Sequence, residues 1–470
     1  MQLLEGLEVS EIFKSNLEYS GRIDAEYYKP TFIKFENLIK SKGGKLLSDN
    51  ANFLIGPFGS AFTVDNYVEE RIYRYIRGKD VKPLKLMDND NVYMSKEHYE
   101  GLSKYALKEN DVMVSVVGTI GNAAIIQKEN LPAVFSCKNT VIRTNDLNPK
   151  YLLAYLNCRY GRELLQRKER GAIQKGLNLD DLKNLDFFDA SLNLQNIIEE
   201  VFNKSSYKIN ESQQKYTQAE NLLLETLGLQ DFQPSTDAVN VKSLKESFLS
   251  SGRLDAEYYQ PKYDTIESKL DKLNTFKIKE VFTILSSPSP SKYQETGIKV
   301  IKTKNVRIPN IEIDNITDHT EQANLLIKKD DLLFASMGVG SLGRVSYIDK
   351  EVPNCTIDGT IKLFRIKEKV KNQNIEIPTL LFLTSSIGQE LIYKYVIGST
   401  GIISISKENI ENLLIPEIDS KSAKRLSDLV LESQQLKTES EKLLETAKLA
   451  VEIAIEESEE KAIIFINENS

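Results

Sequence analysis

In IRGKDVK (residues 76–82) and IKTKNVR (residues 301–307), each behind a β-rich stretch, Arg77, Lys79, Lys302, Lys304 and Asn305 crowd onto short polar loops. GAIQKGLN (171–178) adds Gln174, Lys175 and Asn178, and its counterpart GSTGIISIS (398–406) adds Ser399, Thr400 and Ser404. Lysine, arginine and backbone amides hold phosphates, while a carboxamide offers the paired donor and acceptor that the edge of adenine takes. These residues form a candidate DNA-binding set, set against the plainer reading of each as an ordinary exposed loop residue.

Other chemistries lack their residues. An amino-methyltransferase needs Asn or Asp before two prolines and an aromatic, but Asn148-Pro149 leads to Lys150. A P-loop ends in Gly-Lys-Ser/Thr, whereas GTIG and GVGSLG lead to Asn122 and Arg344. Glu459-Glu460-Lys461 imitates part of a nuclease triad but lies on an acidic helical stretch and reads as a solvated face. Cys137, Cys158 and Cys355 are too scattered for zinc and read as buried free thiols; His98 and His319 stand alone and read as surface residues. No catalytic residue, cofactor or metal site is expected. The N-terminal MQLLEGLEVSEIF has no leader pattern and no apolar run nears the ~20 residues a bilayer needs, so a cytoplasmic chain is expected.

The net charge of −7 argues against a nucleic-acid partner only until it is mapped. Residues 432–470 hold ten Glu against four Lys, which is nearly the whole excess. The remainder contains basic islands: Arg71, Arg74, Arg77, Lys79, Lys82 and Lys85 face only Asp80, a second island runs from Lys150 to Lys183, and a third is Lys299, Lys302, Lys304 and Arg307. A charge run is most often a solvated face, but three islands at comparable places shift the balance toward phosphate contact.

What must position these loops is a repeat. SGRIDAEYYKP (20–30) returns as SGRLDAEYYQP (251–261), and the echo continues through DVMVSVVGTIGNAAII and DLLFASMGVGSLGRVSYI to ESQQKYTQAENLLLETL and ESQQLKTESEKLLETAK. Within each half the pattern predicts a short helix after Pro30 or Pro261, then short strands at 53–55, 73–76, 112–117, 123–126 and 141–143 in the first copy, then a helix at 150–168 or 378–395. In the repeated phrase, Arg22 can pair with Asp24 or Glu26, and Tyr27 and Tyr28 can wedge between the globular part and the helices. Each half closes on a stretch without Gly or Pro, Leu194–Leu227 and Asp419–Phe465, with apolar or small residues at a near-heptad spacing. The expected fold class is α+β: two pseudo-twofold-related domains with curved, mostly antiparallel sheets, joined by two long antiparallel coiled-coil-like helices. The expected boundaries are 1–188 and 231–416 for the domains, and 189–230 and 417–470 for the helices.

The two GR-I/L-DAEYY phrases, the Gly-x-Ile/Leu-Gly turns at 118–121 and 340–343 and the long closing helices, duplicated in order over nearly the whole chain, resemble the specificity (S) subunit of Type I restriction-modification systems. That resemblance implies a non-catalytic subunit with two target recognition domains that each read half of a split double-stranded DNA sequence. It implies as partners two methyltransferase (M) subunits, which use S-adenosylmethionine to methylate adenine, and a restriction and motor (R) subunit. Two other readings stay open: a DNA-binding adaptor of another defence system, and a helical-rod scaffold whose globular ends bind protein.

Overall fold

The computed structural model describes residues 10–470 apart from 88–89, 172–174, 291, 314–315, 372 and 399–400. The chain divides into two compact units, Met1–Lys208 with Glu439–Ser470, and Ile209–Thr438. Each unit therefore takes part of both long helices, a division that cuts across the sequence-based split into domains and spacers.

In unit 1, α1 (Pro30–Ser41) opens on its proline, whose missing N–H costs nothing in a first turn, and buries Phe32, Phe35 and Ile39. The strands of its two larger sheets follow: β1 (Ala51–Ile55), β2 (Tyr73–Ile76), β3 (Val92–Met94), β4 (Val112–Ser115), β5 (Ala123–Ile125), β6 (Ala133–Phe135) and β7 (Asn139–Thr144). They form an antiparallel sheet in the order β1-β7-β4-β5 and a smaller sheet in the order β3-β2-β6, in which β2 and β6 run parallel. Then come α2 (Pro149–Asn157), α3 (Arg159–Arg167) and the long α4 (Leu192–Thr226).

Unit 2 repeats this. After α5 (Pro261–Leu270) it has β8 (Phe282–Leu285), β9 (Ile298–Ile301), β10 (His319–Thr320), β11 (Leu332–Ala335), β12 (Val345–Tyr347), β13 (Cys355–Ile357) and β14 (Ile361–Ile366). The sheets run β8-β14-β11-β12, antiparallel, and β10-β9-β13, again with one parallel pair, β9 with β13. The chain continues through α6 (Glu376–Thr384), α7 (Ser386–Lys394) and the long α8 (Ser420–Glu456) to α9 (Glu459–Asn469), which belongs to unit 1.

Two expected helices are broken. The one expected at 150–168 is α2 and α3, and the one at 378–395 is α6 and α7, because Cys158 (ψ 167°) and Ser385 (ψ 160°) leave the helical region. The corners are tight: a Cβ on Gly161 would lie 2.0 Å from the Tyr155 carbonyl oxygen, and one on Gly388 would lie 2.0 Å from that of Phe382. The helix expected to run through Phe465 also breaks, and Ser458 caps α9 by accepting from the Lys461 N–H at 3.4 Å.

Small side chains let the long helices approach. In unit 1 the Ser205 and Ser440 hydroxyls share a 2.8 Å hydrogen bond, and Lys208 meets Glu439 at 2.5 Å. In unit 2 Ser212 faces Ser433 at 3.1 Å, and Lys215 meets Glu432 at 2.9 Å. Ascending numbers on α4 meet descending numbers on α8, so within each unit the two segments are antiparallel. Leu194, Ile198 and Val201 of α4 and Ala447 and Val451 of α8 join the sheet and α2 in one core of unit 1, as Leu223, Leu426 and Val430 do in unit 2.

Candidate nucleic-acid interface

Much of the positive charge counted in the sequence is spent inside the units. Arg74 is buried, and its Nη2 donates to the Met87 carbonyl at 2.6 Å and to Asn91 Oδ1 at 2.8 Å. Arg77 forks onto Asp80, with Nε to Oδ2 at 3.0 Å and Nη2 to Oδ1 at 2.9 Å. Its backbone N–H donates to the same carboxylate at 2.8 Å, so the pair holds the turn at 78–80. Lys79 is exposed and reaches Asp90 at 2.7 Å, and this contact, its largest influence, holds the Asp90 carboxyl below the usual range.

The matching turn in unit 2 has the same geometry with different chemistry. Asn305 stands where unit 1 has Asp80; it is 1 % exposed, and its Oδ1 accepts the Lys302 N–H at 3.0 Å, which makes it a turn cap. Lys302 pairs with Asp318 at 2.8 Å and lies 3.6 Å from the centre of the Tyr293 ring, while the exposed Lys304 reaches Asp318 at 3.3 Å. Two lysines hydrogen-bonded to Asp318, Lys302 foremost, depress its pKa.

The second pair of candidate loops is also equivalent between units. Arg170 and Gly176 pair across one loop, Ile397 and Ser404 across the other, and each then pairs with the turn after β4 or β11, at Val117 or Met337. Lys175 is exposed and 3.2 Å from Glu169, Asn178 is exposed at the start of the short helix Leu179–Lys183, and Ser404 is half-buried with its backbone in the bridge. Gln174, Ser399 and Thr400 lie outside the described residues.

The repeated phrase proves to be internal wiring. Arg22 donates to both Asp24 oxygens at 2.8 and 2.6 Å, and its guanidinium lies 4.5 Å from the Tyr27 ring centre; Arg253 holds Asp255 at 2.8 and 2.5 Å and lies 4.6 Å from Tyr258. Tyr28 and Tyr259 each donate back to that arginine's carbonyl, at 3.1 and 3.0 Å. A second cation closes each cluster: Arg167 on α3 lies 4.2 Å from Tyr27 and pairs with Glu36 at 2.7 Å, and Lys394 on α7 lies 4.9 Å from Tyr258 and pairs with Glu267. Tyr27 and Tyr258 thus seat against the cations of α3 and α7, where the sequence reading placed the tyrosine pair against the long helices. A cleft of about 560 Å³ opens beside the first cluster, but Asp24, Glu26 and Glu169 there already neutralise Arg22, Lys29 and Lys175. The cluster leaves one large apolar side chain pointing out in each unit, Ile23 at 90 % exposure and Leu254 at 72 %.

The sequence reading missed a tract on the sheet edge of unit 1. The loop after β1 carries Phe58, 86 % exposed, between Pro57 and Gly59. Gly56 lies so close to the turn between β6 and β7 that a Cβ would sit 2.4 Å from the Ser136 carbonyl oxygen, and a Cβ on Gly59 would sit 3.7 Å from Cys137 Sγ. The next residue of that turn, Lys138, is exposed and has no carboxylate partner among the described residues; a Cβ on Gly78 would lie 2.9 Å from its Cβ. Phe58, Lys138 and the Arg77–Lys79 turn are therefore neighbours. Cys137 is half-buried, unlike Cys158 and Cys355, whose thiols burial pushes up to about 12 and about 11. His98 and His319 are also half-buried, not surface residues. Among the described residues no His, Cys, Asp and Glu cluster could hold a metal, and no helix is long and apolar enough to cross a membrane.

A family model described as the Type I restriction modification DNA specificity domain matches residues 12–221 and 271–446. Among solved structures the chain is similar to a Type I restriction-modification S subunit from M. genitalium, with 14% identity and a TM-score of 0.39 over 88% of this chain and 94% of that one. It is also similar to an HsdS subunit from Thermoanaerobacter tengcongensis, with 12% identity and a TM-score of 0.28 over 88% and 96%. A third match, with 14% identity and a TM-score of 0.29 over 89% and 96%, comes from work on complex assembly and conformational transition of the type I R-M system. No curated protein matches.

Proposed function

The chain belongs to the Type I restriction modification DNA specificity domain family, a DNA-recognition subunit and not the enzyme of its system, and from that premise we propose that it reads a two-part duplex target, one half-site per unit. The observation that carries this is a contrast within the chain. Strand order, the Arg-Asp-Tyr clusters and the helix corners recur in both units, whereas the edge loops differ in chemistry. A shared frame with divergent loops is what two different half-sites require.

In this reading Lys138 meets a phosphate directly, the exposed Lys79, Lys175 and Lys304 exchange their surface carboxylates for phosphates, and Asn178, Gln174, Ser399, Thr400 and Ser404 are the base-edge candidates. Arg77, Lys302 and Asn305 shape the turns that present them. Two methyltransferase subunits dock on the repeated surfaces that present Ile23 and Leu254, since the same partner bound twice needs the same contact twice; a restriction and motor subunit completes the complex in the cytoplasm. The acidic stretch 432–470 makes the isolated chain a weak DNA binder that gains phosphate contacts from its partners.

Mapping methylated adenines genome-wide with and without this chain tests the reading. One split motif should lose methylation when the chain is removed. Unchanged methylation, together with no salt-sensitive duplex binding by the assembled complex, would leave the protein-scaffold reading in its place.

A further inference from the structure

Phe58 is the large apolar side chain that the frame of unit 1 holds outward most deliberately. The loop bearing it is pinned at both ends. Gly56 packs on the Ser136 carbonyl, Pro57 is buried, and four residues on, Phe62 is sunk in an aromatic cluster with Tyr67 at 5.7 Å, Tyr75 at 4.7 Å and His98 at 5.5 Å. The Phe58 carbonyl accepts the Ala61 N–H at 2.8 Å, which fixes the turn between the anchors. A phenyl ring held in water on an anchored loop contributes nothing to this unit's core. Lys138 supplies a cation beside it, on the turn that Gly56 and Gly59 contact, and behind that is the turn carrying Lys79, which is paired with the exposed Asp90. Apolar ring and flanking lysines together fit a nucleic-acid duplex, whose phosphates take the cations and whose stacked bases take the ring.

Unit 2 has no such ring. Its equivalent loop reads SSPSPS at 286–291; Ser289 Oγ accepts the Gly359 N–H at 3.1 Å where unit 1 has the Cys137 turn, and the nearby Tyr293 is covered by Lys302.

We propose that Phe58 is a wedge that enters the base stack in the half-site read by unit 1, with Lys138 holding a phosphate beside it. This rests on the reading of the chain as a DNA-recognition subunit and adds to it a distortion of one half-site only. Gly56 and Gly59 let the loop backbone pack on the turn that carries Lys138, and the anchored loop spares the wedge an ordering cost on binding.

The test uses the full chain assembled with its methyltransferase subunits and a duplex carrying the mapped target, with 2-aminopurine placed in turn at positions of each half-site. The intact complex should raise 2-aminopurine fluorescence at one step of the unit 1 half-site. Phe58→Ala should abolish that rise and weaken binding about ten- to hundredfold with the salt slope unchanged, while Phe58→Leu, still an apolar wedge, keeps most of both. Lys138→Ala should lower the salt slope by about one. Thermal unfolding of Phe58→Ala should match the parent, since the ring is not part of the core. Binding and fluorescence unaltered in Phe58→Ala would overturn the wedge, as would lost affinity with no fluorescence change, or equal fluorescence loss in both half-sites. If the intact complex binds no duplex specifically, the DNA-recognition reading itself falls; if it does and Phe58→Ala behaves as the parent, only the wedge falls.

Discussion

Glu376 shows how a single residue can oppose the fold that holds it. It opens α6 of unit 2, where burial, helped by the Asp330 carboxylate, pushes its pKa from the ordinary 4.5 to about 6. Asp330 in turn accepts the Tyr347 hydroxyl at 2.5 Å. A carboxyl whose folded pKa is raised binds its proton more tightly in the folded state. Its contribution to stability is complete below pH 4.5 and is lost as pH rises through 6. Glu376→Gln removes that loss and should stabilise unit 2 by about 2 kcal/mol at pH 8, with the gain gone at pH 4. Denaturant unfolding at the two pH values measures it, and a gain independent of pH would mean packing rather than ionisation is responsible. The arginines tell the opposite story: Arg22, Arg77 and Arg167 are each tied to a carboxylate, so a count of basic residues overstated the charge available to DNA.

At the scale of elements, the corner between α2 and α3 and its twin between α6 and α7 depend on one missing Cβ each. Gly161→Ala or Gly388→Ala would drive a methyl group into a carbonyl that lies 2.0 Å away, and the neighbour is backbone, which cannot rotate aside. Each substitution should cost about 2 to 3 kcal/mol, felt in unit 1 for the first and in unit 2 for the second. Calorimetry that resolves the two units checks this, and an unshifted transition would mean that the corner opens freely. These corners were not legible in the sequence, because apolar residues recur at helical spacing straight through Cys158 and Ser385. The long helices were legible, since 35 and 37 residues without Gly or Pro leave little alternative, yet the stop before Ser458 was not, although a serine ahead of two glutamates is an N-terminal cap signal.

For the whole molecule, duplication was the readable fact, and the structure extends it from words to wiring: the same strand order, the same Arg-Asp-Tyr cluster and the same loop pairing recur in each unit. The site was less readable, because a residue type does not disclose whether its polar atoms are already occupied. Asn305 has the chemistry of a base reader and the geometry of a cap, while Phe58, apolar and overlooked, is among the most exposed large apolar side chains of unit 1. Since each unit has its own sheets and core, the edge loops of one should act without the other. Residues 42–185 span the two larger sheets of unit 1 and stop short of the long helices. Exchanging them for the equivalent segment of a relative should therefore change one half-site of the methylated motif and leave the other half and the gap as they were. Sequencing of methylated adenines in cells carrying the chimaera provides the measurement. A motif altered in both halves would show that recognition is shared between units, and the one-unit, one-half-site assignment would have to be given up.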